Sequence, residues 1–114
     1  MIAVIFEVTT ANGQKDLYLD HAAKLRPLLE KIPGFISVTR FQSLTDPDTL
    51  LSLSFFEDEH AVARWRNCAA HRDSQSAGRS GMFADYRIRI ARISRDYGLH
   101  DRAQAPTDSN QTHL

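Results

Sequence analysis

FISVTRFQSLTDPDTLLSLSFF, residues 35–56, is the stretch whose reading decides the fold. Phe35 to Leu44 reads as a strand, with Phe35 and Phe41 on one face and Ile36, Val38 and Arg40 on the other. Thr45-Asp46-Pro47-Asp48 is a run of turn formers, and a further strand follows at once from Thr49 to Phe56. Two strands joined by so short a polar loop predict an antiparallel hairpin.

On the N-terminal side, Ile2 to Thr9 alternates Ile2, Val4, Phe6 and Val8 against Ala3, Ile5, Glu7 and Thr9, the period of a strand. From Gln14 to Ile32 the spacing changes. Tyr18, Ala22, Leu25, Leu29 and Ile32 form a helical stripe, widened by Leu28, with Pro27 expected to kink it near Ala23. Pro33-Gly34 ends that helix.

On the C-terminal side, Asp58 is placed to cap a second helix whose buried stripe is Ala61, Val62, Trp65, Cys68 and Ala69. Residues 71–81 are small and polar. Phe83 to Ile93 resumes a strand pattern, with a change of face expected near Ala91–Ile93. Residues 98–114 hold little apolar mass and read as a flexible polar tail after a domain of residues 1–97. The order β-α-β-β-α-β predicts an α+β, ferredoxin-like chain: a four-stranded antiparallel sheet with two helices on one face. The uncovered face would carry Ala3, Ile5, Ile36 and Val38 or their alternates, too apolar for water, which predicts a homodimer of sheets packed face to face.

The bulk properties exclude several functions. A chain of 114 residues holds one core, and its 14 basic and 14 acidic residues give no electrostatic drive toward nucleic acid or an anionic membrane. Arg87, Arg89, Arg92 and Arg95 straddle both faces of their strand rather than forming a basic stripe. No apolar run is long enough for a membrane span, and the N-terminus lacks a signal-peptide pattern, so the cytoplasm is the expected location. The lone Cys68 fits a small buried hydrophobe. No histidine has a second ligand at a metal-site spacing, and no glycine-rich phosphate loop occurs, so neither metal nor cofactor is expected.

The run IPGFISV, the hairpin, FEDEHAVARW and DYRIRIARISRDY together resemble the antibiotic biosynthesis monooxygenase (ABM) family over about Ile2 to Tyr97. The resemblance implies a dimeric α+β barrel with a cavity between sheet and helices. It also implies one of the family's activities, among them cofactor-independent oxygenation of aromatic quinone precursors and haem degradation. The haem-degrading branch is expected to carry an asparagine on the first strand, and IAVIFEVT has none.

Trp65 to Tyr86, WRNCAAHRDSQSAGRSGMFADY, is the segment richest in chemistry. On a helical wheel Arg72 falls two turns above Trp65, and His71 and Gln75 lie one turn apart on a flank. The resemblance implies a small phenolic or quinol-type substrate and dioxygen. His71 would then be the base and Arg72 or Arg79 the anion stabiliser, with Trp65, Gln75 and Tyr86 binding the substrate. The competing reading is structural. An indole on a buried stripe packs a core, a histidine at a helix end is solvated, and Arg72 and Arg79 pair with Asp73 and Asp85 at the surface. A non-catalytic dimeric ligand-binding or structural module of the same fold stands beside the enzyme as the alternative.

Overall fold

The apolar alternations of the chain become four strands: β1 (Ile2–Thr10), β2 (Phe35–Gln42), β3 (Thr49–Phe56) and β4 (Phe83–Arg92). The helical stripes become α1 (Lys15–Leu29) and α2 (Glu59–Arg66), with a short α3 (Thr107–Thr112) near the C-terminus. The computed structural model describes residues 1–68 and 81–112, with backbone alone at 111 and 112. The strands form one antiparallel sheet in the order β2-β3-β1-β4. Ile2, Val38 and Phe56 of the sheet pack with Leu29 of α1 and Ala61 and Val62 of α2, so both helices lie on one side. This is the α+β, ferredoxin-like fold.

The hairpin is closed by side chains as well as backbone. Ser43 Oγ accepts from the amides of Thr45 and Asp46 at 3.2 and 3.1 Å, and Asp46 accepts from the amide of Asp48 and the hydroxyl of Thr49. These contacts draw the chain out of the ladder at Gln42, so β2 is shorter than the expected run to Leu44, whose side chain is fully exposed. A register shift between Phe35 and Ser37 corrects the expected faces of β2. The extra residue brings Phe35 onto the side of Val38: Val38 is buried, Phe35 packs edge-on against Phe56 at 5.8 Å, and Ile36 is exposed. Val38 therefore belongs to the core beneath the helices and not to the uncovered face.

In α1, Tyr18, Ala22 and Leu29 are buried as the spacing predicts, whereas Leu28 is exposed. The helix runs through Pro27 and stops at Leu29, where the amides of Lys31 and Ile32 turn back to Leu28 and Leu29. Gly34 follows with φ +89°, and a Cβ there would stand 2.7 Å from Cβ of Ala61. Only glycine allows that approach, which lets the Gly34 carbonyl accept from the Glu57 amide and ties the start of β2 to the start of α2. Asp58 caps α2 as expected, accepting from the Ala61 amide at 2.9 Å. The helix ends at Arg66, short of the expected stripe through Cys68 and Ala69, with Asn67 Nδ2 bonding back to the Ala63 carbonyl.

The irregularity expected near Ala91–Ile93 lies instead at the other end of β4. Thr9 faces Asp85 and Thr10 faces Phe83, leaving Ala84 unmatched. Regular pairing continues to Ile2 opposite Arg92, and the Ile93 amide reaches the Met1 carbonyl. Arg89 pairs with Glu7 and Arg92 with Glu59, both at 3.3 Å and well exposed, where such pairs contribute ~0–1 kcal/mol. After β4, Arg102 lies over the ring of Tyr97 at 5.3 Å and bonds to Asn110 and to the Gly98 carbonyl. Local contacts thus organise part of the segment read as a tail. Among the described residues no helix is long and apolar enough to cross a membrane.

Candidate functional site

β3 has its polar side turned inward. Leu50, Ser52, Ser54 and Phe56 are buried on the helix-facing side, while Leu51, Leu53 and Phe55 alternate onto the opposite face. Phe56 belongs to the core cluster at one end of the sheet, and Leu50 joins Val8, Tyr18 and Met82 at the other. Between these packed ends two hydroxymethyl groups stand where leucines or phenylalanines would fill the space.

The register shows what shares that middle ground. Val38, Ser54, Val4 and Ile90 form one row across the four strands, and Arg40, Ser52, Phe6 and Ile88 form the next. These two rows are the floor of a cavity of about 200 Å³. Tyr18, His21, Ala22 and Leu25 of α1 and Val62 and Trp65 of α2 form the roof, with Met82 and Phe83 at one side. A cavity of ~150 Å³ lined by apolar groups holds benzene, so this one accommodates a single substituted ring. Aromatic edges stiffen one wall: Phe83 lies 5.8 Å from Phe6, 5.6 Å from Tyr18 and 5.9 Å from Tyr86.

The formally charged side chains described around this apolar space are all arginines. Arg26, Arg40 and Arg66 line the cavity together with His21, and the described lining contains no carboxylate. Arg26 is exposed and its Nε donates to Glu30 at 3.1 Å. Arg66 is exposed as well. Arg40 differs: its Nε is shut off from solvent and has no hydrogen-bond partner among the described residues. An unmet buried donor costs ~1–3 kcal/mol, and more on a charged group. Among the described residues no three histidine, cysteine, aspartate or glutamate side chains gather as a metal site would require.

Of the residues singled out in the sequence, Trp65 lines the cavity, half-buried, and also packs against the core cluster. Tyr86 lies on β4 with its ring edge-on to Phe6 and Phe83, both of which line the cavity, and it is 44% exposed. His71, Arg72, Gln75 and Arg79 lie outside the described residues, as do Asp73 and Ala69. The lining also includes residues that the sequence did not single out, among them His21, Arg40, Ser52 and Ser54. The serines had a readable signal, because Ser-Leu-Ser between Leu50 and Phe56 puts small polar groups on the face that its end residues bury. His21 had a weaker one, sitting beside Ala22 and four residues before Leu25 on the α1 stripe.

The model of the family described as antibiotic biosynthesis monooxygenase matches residues 1–77. A protein of Pyricularia oryzae named jasmonate monooxygenase ABM is 45% identical over 94 residues, covering 82% of this chain and 44% of that protein. The chain thus spans less than half the length of that relative. The uncharacterized protein YqjZ of Bacillus subtilis is 27% identical over 94 residues, covering 82% of this chain and 79% of that one. Solved structures share the fold. A candidate antibiotic biosynthesis monooxygenase from Deinococcus radiodurans superposes with a TM-score of 0.79 at 9% identity, covering 87% of this chain and 98% of that chain. SnoaB, a cofactor-independent oxygenase from Streptomyces nogalater, gives 0.73 at 12% identity, covering 83% and 94%.

Proposed function

This chain belongs to the antibiotic biosynthesis monooxygenase family, and on that premise we propose that it is a cofactor-independent monooxygenase of a small phenolic or quinol-type substrate. The observation that carries the reading is the hollow over Ser52 and Ser54, with an indole in its roof, cationic groups on its walls and no opposing carboxylate among the described lining residues. Such chemistry needs no external reductant. A base removes a proton from the electron-rich ring, and the anion passes electrons to dioxygen. One ring C–H and the phenolic O–H are lost. One oxygen atom becomes a new ring carbonyl, and the phenolic carbon becomes the second carbonyl of a quinone. The other oxygen atom leaves as water with those two hydrogens. All four electrons come from the substrate. The protein supplies a proton acceptor, a stabilised anion and a dry cavity that fixes the ring.

Among the described lining residues His21 is the histidine, which supports it as proton acceptor. His71 is the other candidate base, with Arg72 or Arg79 as anion stabiliser and Gln75 and Tyr86 beside Trp65 as substrate-binding groups. The working unit in this reading is a cytoplasmic homodimer joined through the uncovered sheet face, where Ile5, Leu51, Leu53 and Phe55 are only half-buried and Phe41 is 49% exposed. Residues 98–114 lie outside the catalytic domain in this proposal. A second reading of the substrate comes from the 45% identical relative, whose name specifies jasmonate, a cyclopentanone carrying a carboxylate.

Oxygen uptake by the purified protein with quinols, anthrone-type rings and jasmonate tests the proposal. Uptake with a quinol or anthrone and no added reductant is expected. His21→Ala or His71→Ala should lower turnover by roughly 10²–10⁴-fold, whichever is the base. Absence of uptake with every ring tested would overturn the monooxygenase reading.

A further inference from the structure

The cavity contains a charged group that the proposed oxygen chemistry does not use. Arg40 stands on the edge strand β2, directly across from Ser52 and in the row that continues through Phe6 to Ile88. Its Nε is out of solvent and unpartnered among the described residues, in a cavity where Arg26 already has Glu30. Lys15 adds a further cation near this strand, bonding at 2.6 Å to Gln42, which follows Arg40 on the same face. The chain as a whole carries equal numbers of acidic and basic residues, so the one-sided charge of the cavity is local.

We propose that this cavity selects substrates bearing a carboxylate, and that Arg40 is the residue that holds it; the inference rests on the reading of the cavity as the substrate site. Nε with one Nη forms the side-on fork of a guanidinium, which matches the two oxygens of a carboxylate. The buried hydroxyl of Ser52 across the ladder supplies a further donor at the same end of the floor. The remaining space is apolar and of single-ring size, so the ligand is an apolar ring or short chain ending in an acid. Trp65, the sole tryptophan and a roof residue, reports occupancy directly through its fluorescence.

The test is binding, independent of turnover. Quenching of Trp65 is titrated with 3-phenylpropionate, its methyl ester and 4-propylphenol, the last below and above its ionisation, using the whole chain. The acid is expected to bind at least tenfold more tightly than the ester. Arg40→Met should abolish that difference by weakening the acid while leaving the ester unchanged, and Arg40→Lys should restore part of it. The melting temperature of ligand-free Arg40→Met should equal or exceed that of the parent, because an arginine kept for structure would have partners to lose. Equal binding of acid and ester, or an acid preference that survives Arg40→Met, overturns the proposal. Dependence on Arg40 for the phenolate alone also overturns it, in favour of a phenolate site. No response to any ligand by fluorescence or calorimetry would sink this inference and the substrate cavity together. Arg40-dependent acid binding without oxygen uptake would leave this inference standing and remove only the monooxygenase activity.

Discussion

Phe56 and Ser54 are two residues apart on the same face of the same strand, yet they sit in opposite kinds of surroundings. Phe56 is wholly buried, wedged among Ile2, Val38, Leu29, Ala61 and Val62 with Phe35 against its ring. Ser54 is also buried, but under an open space that Val4, Trp65 and Ile90 border without filling. One end of the sheet is packed as a core and its middle is left hollow. The difference teaches that burial alone does not mark a residue as structural. A small polar side chain withdrawn from solvent beneath a gap is the signature of a site, because a domain built for stability alone would fill the gap.

The largest effect in this comparison is expected at the packed end. Phe56→Ala should cost roughly 3–5 kcal/mol, read from urea denaturation, since the ring leaves a void in a rigid surround. A loss below ~1 kcal/mol would mean that the packed end is as loose as the middle. Leu53→Asp tests the face that β3 presents to the other side. If that face is the dimer interface, the self-association constant should weaken by at least about 100-fold, seen as a monomer mass by light scattering at micromolar concentration. An unaltered mass would place the interface elsewhere. The smallest change in stability is expected in the hollow itself. Ser54→Val should shift the unfolding free energy by less than ~1 kcal/mol, because the added methyl enters empty space. The same variant should weaken binding of ring ligands, followed by Trp65 quenching, by tenfold or more. Full binding in Ser54→Val would show that ligands bypass the floor of the cavity.

Much of the fold was legible because its signals are local. The turn chemistry of Thr45–Asp48, the cap at Asp58 and the alternation of Ile2–Thr9 each act over a few residues, and each appears in the structure. The reading failed where one residue's offset decides a face. The register shift between Phe35 and Ser37 brings Phe35 onto the side of Val38, which is the core side, and nothing in FISV distinguishes a bulged strand from a regular one. The length of α2 was overestimated for a similar reason, since an apolar spacing that continues through Cys68 and Ala69 does not say where the backbone leaves the helix.

The candidate site was only partly readable. Trp65 was found because an indole on a helical stripe stands out in any sequence. Arg40 was visible as a charge on an otherwise apolar strand face, but a strand pattern cannot say whether a guanidinium reaches solvent or turns beneath a helix. His21 was one of five histidines with nothing in its spacing to set it apart.

By itself the sequence determined the order of strands and helices, the antiparallel hairpin and the resemblance that led to the family, all of which rest on periodicity and short-range turn and cap chemistry. The tertiary structure alone decided that Val38, Ser54, Val4 and Ile90 form one row, that Arg40 joins Ser52, Phe6 and Ile88 in the next, and that α1 and α2 roof them without filling the gap. The physical reason is that a cavity is a property of what four strands and two helices leave unfilled between them, and no residue encodes that space on its own.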